Sequence, residues 1–399
     1  MPELGEVAYA ARLLSKYLIN KRISRFVIDA NDTIVFPALA SQERTLIEKE
    51  YATKTVVDIG RHGKYFWIVL GDPSRTENSK KAIFDVMLLH LGMTGWIQIK
   101  GIRTKFYAME NSIDGKKREG YDEKKEKEGW PPKYHKFMIT TDDGMEFSFT
   151  DPRRLGRVRF IKIIPEKTST EIGKQVEEAL MKIEPLCRSG SDFSKLESRD
   201  DESTFMQIVG KRKVPVKSLL LDQAVCAGIG NWMADEILFQ SRIHPEQYSH
   251  TISLPSRKLL YEKLCSVSEY AVQNDVNSFP KSWLMIHRWS KKIKKGERPT
   301  TAEGYHVDFV TVGGRTSCFV PELQKLDEQA VAAEIEVAGA KKDPKKRHQT
   351  QTKQSGPVTK RISTTTSKMI SVSVPEPATT ITTTASSKRI TRSRKISTK

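Results

Sequence analysis

The stretch KSLLLDQAVCAGIGNWMADEILFQSRIHPEQ, residues Lys217–Gln247, carries the most specific pattern in this 399-residue chain. Apolar residues at helical spacing predict two helices on either side of the turn AGIGN. Gly228 and Gly230 permit a close approach of the backbone to a partner, and Asn231 is a suitable N-cap for the second helix. The free N–H groups at such a helix start form an anion site, for example for a phosphate. A simple helical hairpin would explain the two glycines, but it would not explain the rest of the sequence between Lys217 and Gln247.

The residues around this stretch also have helical patterns, and they end in a hairpin. We predict helices at EIGKQVEEALMKI (residues 171–183), Glu202–Gly210, Val216–Gln223, Trp232–Gln240 and Ser256–Val272, and a further short helix capped by Asp192. Residues Gly304–Gln324 predict a β-hairpin that turns at Gly313 and Gly314, with Arg315 just past its tip. Together these elements predict a domain at residues 170–326.

Residues 1–165 have a β-rich pattern, which predicts a β-sandwich domain capped by a helix. A predicted helix over Pro2–Leu18 precedes short apolar runs that are separated by glycine, aspartate and charged turns. The predicted strands are Ile23–Ala30, Lys54–Ile59, Lys64–Leu70, Ile83–Leu91, Gly95–Ile99, Tyr134–Thr140, Met145–Thr150 and Arg157–Ile164. The charged segment Met109–Trp130 is typical of a surface loop inserted between strands. The fold class is therefore α+β, with a boundary near Ile164–Ile172.

The charge of the chain is unevenly distributed. The formal net charge is +18, and residues Lys341–Lys399 hold 15 Lys and Arg against two acidic residues, so 13 of the net charges lie there. A basic balance favours a polyanionic partner such as nucleic acid. Residues 327–399 are rich in Ser, Thr and basic residues with almost no aromatics, which predicts a disordered tail. Its clusters at Lys341 and Lys388 are typical of a nuclear-localisation signal or of a nonspecific DNA tether.

The spacing of the cysteines and the length of the apolar runs argue against several classes of protein. The four cysteines (Cys187, Cys226, Cys265 and Cys318) contain no C-x-x-C pair, which argues against a cysteine-based zinc site and a disulfide framework. No apolar run reaches the roughly 20 residues that span a bilayer, and no signal-peptide pattern is present. We expect an intracellular, soluble protein without a membrane partner.

The start of the chain, MPELGEV, contains a potentially reactive pair. If Met1 is removed, Pro2 presents a secondary amine beside the carboxylate of Glu3. An α-amino group has a pKa of roughly 7.7 to 8.0, so part of it is unprotonated at neutral pH. Such an amine can form a Schiff base while the neighbouring acid moves protons. Alternatively, the proline simply suits the first turn of a helix, where its missing N–H costs nothing.

Other motifs could bind a ligand, and each has an ordinary alternative. Lys64, which opens a strand after the turn of GRHGKYF, could contact a phosphate or simply face solvent. Met93, on the turn HLGMTGW, could be a wedge that occupies a vacated base stack or a core residue. The guanidiniums of DPRRLGRVR (residues 151–159) suit phosphates and exposed bases, although a charge run is usually solvated. Arg315 alone would be a surface charge on a turn.

Six motifs resemble, in their order along the chain, those of the formamidopyrimidine-DNA glycosylase family, bacterial type: MPELGEV, GRHGKYF, HLGMTGW, DPRRLG, AGIGNWMADEIL and GGRTSCFVPE. The hairpin in place of a four-cysteine zinc finger is similar to the zincless form of plants and fungi. The resemblance covers Pro2 to Leu326 and no part of the tail. It implies a helix–two-turn–helix domain after the sandwich, with double-stranded damaged DNA bound in the cleft between them. A monomer is expected, with no metal and no small-molecule cofactor.

The resemblance also implies an activity and a role for each candidate residue. The protein would be a bifunctional DNA glycosylase and abasic-site lyase of base excision repair, which ends by β,δ-elimination. Pro2 would be the nucleophile on the anomeric carbon, Glu3 the general acid, Glu6 a contact to the target sugar and Lys64 a phosphate ligand beside the lesion. The residues expected to fill the void of a flipped base are Met93, Arg153 and Leu155. Those expected to grip phosphates are Lys217, Asn231 and Arg315.

The sequence departs from the family pattern at three places. Gly5 stands where the family usually has proline, and Leu155 where the bacterial enzymes usually have phenylalanine, which weakens stacking on the opposite base. The Phe279–Arg298 region does not look like the bacterial loop that caps a flipped 8-oxoguanine. We therefore expect oxidised purines such as ring-opened formamidopyrimidines and hydantoins, together with abasic sites, as substrates in preference to 8-oxoguanine.

Two other functions remain open from the sequence. One is a damaged-DNA-binding protein that keeps the phosphate clamp but has lost catalysis. The other is an endonuclease VIII-like glycosylase for oxidised pyrimidines, which fits less well because Leu4 follows Glu3 where that branch usually has glycine. The basic tail and the eukaryotic-like zincless form favour the nucleus, and a mitochondrial pool is compatible with the same sequence.

Overall fold

The structure is a computed structural model, and it describes residues 2–36, 39–72, 83–102, 104, 129–164, 171–274, 279–288 and 299–327. The predicted domain boundary between residues 165 and 170 lies outside this range. So do the tail from residue 328 onward and, apart from residues 129 and 130, the predicted surface loop Met109–Trp130.

The N-terminal part consists of two helices and two four-stranded antiparallel sheets in the described residues. The helices are α1 (Leu4–Leu18) and α2 (Ser41–Tyr51). The strands are β1 (Ile23–Ile28), β2 (Thr55–His62), β3 (Tyr65–Gly71), β4 (Phe84–His90), β5 (Trp96–Ile99), β6 (His135–Thr141), β7 (Glu146–Thr150) and β8 (Arg157–Ile163). Their orders are β1-β6-β7-β5 and β2-β3-β4-β8. All eight predicted strands are present, with ends that differ by at most three residues.

The C-terminal part is helical and ends in a hairpin. Its helices are α3 (Ile172–Leu180), α4 (Glu202–Lys211), α5 (Val216–Leu221), α6 (Asn231–Gln240), α7 (Leu254–Gln273) and α8 (Leu284–Arg288). The hairpin pairs β9 (Asp308–Val312) with β10 (Arg315–Phe319). Gly313 and Gly314 have φ values of +57° and +73°, the left-handed backbone that a two-residue hairpin turn needs. None of the described helices is long and apolar enough to cross a membrane.

The two sheets share one apolar core because their strands alternate. Phe66 and Ile68 of β3 face the same buried cluster as Phe137 of β6 and Phe149 of β7. The intervening residues of β3 point to the other face, where Trp67 packs under α3. The sheet that carries β3 is therefore covered on both faces, which fixes the turn that follows β2 and holds Lys64.

Helix α1 lies close to the C-terminal helices. Its first five residues, 4 to 8, are all buried, and one buried face then continues through Ala11, Leu14 and Leu18. The helix packs against α7 and against strands β2 and β3. A Cβ on Gly5 would lie 3.0 Å from the carbonyl oxygen of Ala271 in α7, so the residue at this position must be small. The glycine that departs from the family pattern thus permits a close contact between α1 and α7.

Helix α2 was not predicted, and its burial explains why. Its inward residues are Arg44 and Tyr51, whereas Leu46 is 65% exposed, so the helix has no apolar stripe. Arg44 donates hydrogen bonds to the carbonyls of Asp29 and Asp32. The helix is held by tertiary hydrogen bonds to a loop that no local pattern reveals.

Candidate active site

The carboxylate of Glu3 occupies the N-terminus of helix α6. Its Oε1 accepts a hydrogen bond from the backbone N–H of Trp232 at 3.0 Å, and its Oε2 accepts one from Met233 at 3.1 Å. Only 2% of Glu3 is exposed. The positive end of a helix dipole stabilises a negative charge at this position. The first residues of the chain are therefore fixed by a helix that lies far along the sequence.

The glycines of the AGIGN turn make this contact possible. A Cβ on Gly230 would lie 2.1 Å from Cδ of Glu3, and one on Gly228 would lie 2.8 Å from Leu4. Gly228 also has a φ of +93°, and its carbonyl accepts a hydrogen bond from the N–H of Leu4 at 3.1 Å. The close approach predicted for these glycines is to the start of this same chain.

Two sequence predictions at this helix need correction. Gly230, and not Asn231, is the N-cap of α6. The N–H groups of Trp232 and Met233, which were expected to be free for an external phosphate, are taken by Glu3. The general rule about anions at helix starts holds, but the anion belongs to the protein.

Glu6 lies one turn after Glu3 and binds its backbone. Its Oε2 accepts a hydrogen bond from the N–H of Glu3 at 2.9 Å. Burial, together with the charge of Glu3, raises the pKa of Glu6 to about 7. Burial also raises the pKa of Glu3, against the opposing effects of Lys64 and of its two backbone donors. Two acids with raised pKa values next to the buried Pro2 favour retention of a proton near neutral pH.

Lys64 faces the same turn from the β-sheet side. Its Nζ donates a hydrogen bond to the carbonyl oxygen of Ile229 at 3.0 Å, and Gln223 donates to the same oxygen at 2.8 Å. Burial lowers the pKa of Lys64, and the charge of Glu3 opposes this effect. Lys64 therefore lies beside Gly230, the residue against which the Glu3 side chain packs. Sequence reasoning had no signal for Gln223.

Asp192 has a different role from the one predicted. It does not begin a helix; its buried carboxylate accepts hydrogen bonds from the N–H of Gly63 at 3.0 Å and from Arg61 at 2.6 Å. These contacts hold the turn before Lys64 against the C-terminal part. The other carboxylate oxygen, Oδ1, accepts from the N–H and the hydroxyl of Ser194, a local contact of the kind that a helix cap also makes.

Met93 and Leu155 project from two turns that pack together. Each side chain is 40% exposed. A Cβ on Gly92 would lie 2.5 Å from the backbone of Leu155, so the turns are in direct contact. The buried carboxylate of Asp151, which sequence reasoning missed, accepts hydrogen bonds from Thr94 and from the N–H of Gly156, both at 2.6 Å. Arg153 on the second turn is also exposed.

The three predicted phosphate ligands are in different environments. Arg315 is exposed and Asn231 is half-buried; both line an open cavity of about 460 Å³ with Arg288, Phe309 and Thr316. Lys217 has no exposed surface, and its ammonium pairs with Asp235. A direct contact between Lys217 and an external phosphate therefore conflicts with this geometry, because the side chain lies beneath the hairpin.

The described part of the chain thus brings Pro2, Glu3, Glu6 and Lys64 together around the AGIGN turn. Asn231 begins the helix that Glu3 caps, and Arg315 lines a cavity with it. Met93, Arg153 and Leu155 form a separate group on the two exposed turns. The roles assigned to these residues stay predictions.

Two family models and several known proteins match this chain. The formamidopyrimidine-DNA glycosylase N-terminal domain matches residues 1–158, and the formamidopyrimidine-DNA glycosylase H2TH domain matches residues 194–281. A formamidopyrimidine-DNA glycosylase of Arabidopsis thaliana is 34% identical over 347 residues, which are 86% of this chain and 76% of the relative. One of Streptococcus pneumoniae serotype 4 is 24% identical over 339 residues, 82% of this chain and 100% of the relative.

Solved structures show the same fold. The Lactococcus lactis Fpg in complex with DNA that contains an abasic site has a TM-score of 0.55 and 20% identity, over 81% of this chain and 99% of that chain. The wild-type L. lactis Fpg in complex with N7-benzyl-Fapy-dG DNA has a TM-score of 0.56 and 21% identity, over 81% and 100%. From the plant relative and the two domain matches, we conclude that this chain belongs to the formamidopyrimidine-DNA glycosylase family.

Proposed function

We propose that the protein is a bifunctional DNA glycosylase and abasic-site lyase that acts through a Schiff base on Pro2. The observation that carries the proposal is the buried carboxylate of Glu3, held beside Pro2 by two backbone N–H groups of helix α6. A proton donor next to an amine is what the reaction needs, and burial raises the pKa of this acid. Lys64 and Arg315 supply positive charge around the same turn.

The reaction follows from these groups. With Met1 removed, the lone pair of the Pro2 nitrogen forms a bond to the anomeric carbon C1′. The bond from C1′ to the base breaks, the base leaves with the electron pair, and it takes up the proton that the Pro2 nitrogen loses. Glu3 gives a proton to O4′ as the sugar ring opens, so that C1′ and the nitrogen form an iminium. Loss of a C2′ proton then expels the 3′ phosphate, and a second elimination expels the 5′ phosphate.

Double-stranded damaged DNA is the proposed partner, bound by a monomer without a cofactor. Structural neighbours at 19–21% identity are complexes with DNA that contains an abasic site, N7-benzyl-Fapy-dG or carbocyclic 8-oxo-G. Exposed Met93 and Leu155 would occupy the space of an extruded base, because an apolar wedge replaces lost stacking. Arg315 and Asn231 would hold the phosphates next to the lesion.

The preferred lesions are proposed to be ring-opened purines, hydantoins and abasic sites. Phe279 and Trp283 are at most 8% exposed and pack in an aromatic cluster with Trp232 and Tyr270. Side chains held in this way cannot fold over a base, which supports weak activity on 8-oxoguanine. Residues 289–298 of the same region lie outside the described part of the chain.

Borohydride trapping on abasic-site duplex tests the proposal. Protein shown by mass spectrometry to begin at Pro2 should form a covalent complex. Pro2→Gly and an N-terminal extension that blocks the amine should reduce the yield sharply. Pro255→Gly is the matched control, because Pro255 is an exposed proline in the first turn of another helix, α7. Equal trapping by the extended protein would exclude Pro2 as the nucleophile.

A cleavage panel distinguishes the remaining functions. Duplexes with formamidopyrimidine, hydantoin, 8-oxoguanine, an oxidised pyrimidine or an abasic site would be compared under single-turnover conditions. Tight binding with no cleavage of any duplex would indicate a damage-binding protein. Fastest release of the oxidised pyrimidine would indicate an endonuclease VIII-like enzyme.

The basic tail is proposed to act as a nuclear signal or as a DNA tether. Deletion of residues 341–399 removes 13 net positive charges. A tether would lose counterion release, so the deletion should weaken DNA binding mainly at low salt. Unchanged salt dependence would exclude the tether, and nuclear retention of a fluorescent fusion without these residues would exclude the signal.

A further inference from the structure

The hairpin that carries Arg315 is attached to three helices through one buried carboxylate. Asp235 of α6 is 1% exposed. Its Oδ1 pairs with the ammonium of Lys217 in α5, and its Oδ2 pairs with the guanidinium of Arg288 in α8. The same Oδ2 accepts a hydrogen bond from the N–H of Cys318 in β10 at 3.0 Å. Asp235, Lys217 and Arg288 are called the anchor cluster below.

The cations of the anchor cluster also hold the carbonyl of Thr316, the residue after Arg315. This oxygen accepts hydrogen bonds from Arg288 at 2.9 Å and from Lys217 at 3.4 Å. Asn231 donates to it as well, at 3.0 Å. Because Thr316 and Cys318 are two apart on a strand, their outer backbone groups face the same side. The free edge of β10 is therefore bound at two successive points.

Apart from the anchor cluster, the hairpin is held by a ring contact between Phe319 and His244 and by a small apolar cluster. Two strands of five residues form a unit that is at best marginally stable alone. The apolar cluster beneath it contains only Phe239, Leu284, Val307, Cys318 and Val320 among buried described residues. Apolar packing is also nondirectional, so it does not by itself fix where the tip lies.

We infer that Asp235, with Lys217 and Arg288, is a positioning residue that fixes Arg315 beside Asn231 for phosphate binding. This inference rests on the proposed function. Removal of the carboxylate takes away the negative charge that lies between the two cations, Lys217 and Arg288, which is strongly unfavourable. The attachment of the hairpin to α6 would then weaken to the contact between Asn231 and Thr316, and Arg315 would be held less firmly.

Asp235→Asn is the direct test, and it has a readout that needs no DNA. Deuterium exchange should rise across residues 308–319, because the Cys318 N–H loses its charged acceptor and the strong hydrogen bond that goes with it. Affinity for abasic-site duplex should fall by about tenfold to a hundredfold, as for a lost charge-assisted hydrogen bond. The slope of log affinity against log salt should become shallower by about one, the value for one phosphate contact.

A double-mutant cycle with Arg315→Ala separates positioning from loss of stability. If Asp235 acts through Arg315, then Asp235→Asn combined with Arg315→Ala should bind DNA as weakly as Arg315→Ala alone. Additive losses would overturn the inference. So would a normal exchange rate at residues 308–319 in Asp235→Asn.

Two further variants keep the test decisive. Asp85→Asn is the matched control, because Asp85 is also 1% exposed and also pairs with two lysines, but in strand β4. It should leave affinity and hairpin exchange unchanged; a loss equal to that of Asp235→Asn would overturn the inference. If Asp235→Asn does not fold, Lys217→Met retains the Asp235–Arg288 pair and should show the same cycle with a smaller loss. Wild-type protein that fails to bind the duplex would refute the proposed function, while the exchange result would still test the anchor.

Discussion

The start of the chain and the two exposed turns differ in which kinds of side chain they expose to water. Glu3 and Glu6 carry carboxylates that are 2% and 8% exposed, whereas Met93 and Leu155 are apolar side chains that are each 40% exposed. The first region buries groups that prefer water, and the second exposes groups that avoid it. Both arrangements work against folding stability, and such local conflicts are concentrated at functional sites. The first suits proton transfer and the second suits contact with an unstacked base.

The largest effect on activity should come from Gly230→Ala, which adds a methyl group to the backbone next to the buried Glu3. The added Cβ would lie 2.1 Å from Cδ of Glu3 and would displace the carboxylate from helix α6. We expect single-turnover base release to fall by roughly 10² to 10⁴, the usual contribution of a positioned acid or base. Gly129→Ala is the control, since nothing lies within 4 Å of its Cβ position. Activity close to that of wild type would mean that Glu3 need not occupy the helix end.

The next effect concerns the pH dependence of the same region. The pKa of Glu6 is raised to about 7, so its proton is lost as pH rises through that value. We expect base release to decline with pH on the alkaline side. Glu6→Gln should make this decline shallower without removing it, because the pKa of Glu3 is also raised, and should lower the maximum rate by roughly a hundredfold. A pH–rate profile of the variant that keeps the wild-type decline would assign the titration to another group.

A smaller effect is expected at the exposed turns. Met93→Ala should lower base release from duplex DNA about tenfold, because one side chain supplies only part of the few kcal/mol that unstacking costs. Trapping on an abasic site, where no base must leave, should change less. Leu196→Ala is the control, since Leu196 is 75% exposed on another part of the surface. Equal losses in both assays would show that Met93 supports the fold and not the extrusion step.

The smallest effect on catalysis should come from Glu236→Gln, a buried acid away from the reactive end. Burial raises the pKa of Glu236 to about 7, above its ordinary value of 4.5. The folded protein therefore holds an extra proton, and this stabilisation is complete below about pH 4.5 and lost as pH rises through about 7. At pH 8 the free energy of unfolding of the neutral variant should exceed that of wild type, by about 3 kcal/mol at most. At pH 5 the two proteins should have nearly the same free energy of unfolding. Unfolding curves measured at both pH values test the sign.

Local patterns predicted much of the fold. The strands follow from alternation of apolar residues, and the hairpin turn from adjacent glycines that accept left-handed backbone. These signals lie within a few neighbouring residues. Helix α2 escaped prediction because Arg44 and Tyr51 hold it through distant partners. Sequence order cannot show which carbonyls a buried arginine reaches.

The candidate site was predictable as a set of residues but not as a geometry. The sequence shows both a free helix start and a carboxylate, but it does not show that the two meet, because they are far apart along the chain. The binding of Glu3 at the start of α6 was therefore not predicted. The resemblance to the family implied that Lys217 grips a phosphate, whereas the structure buries it against Asp235. In both cases a charged group found its partner within the protein, and the pattern suggested one outside.

The contact between Glu3 and helix α6 can form only late in the synthesis of the chain. The residues that bind Glu3 are synthesised 229 and 230 positions after it. At about 5 to 20 residues per second, roughly 10 to 50 s pass before they exist. During that interval nothing in α6 covers the start of the nascent chain, and an aminopeptidase can reach Met1. Afterwards Pro2 is buried. Under the proposed chemistry, removal of Met1 during that interval would free the Pro2 nitrogen before Pro2 becomes buried.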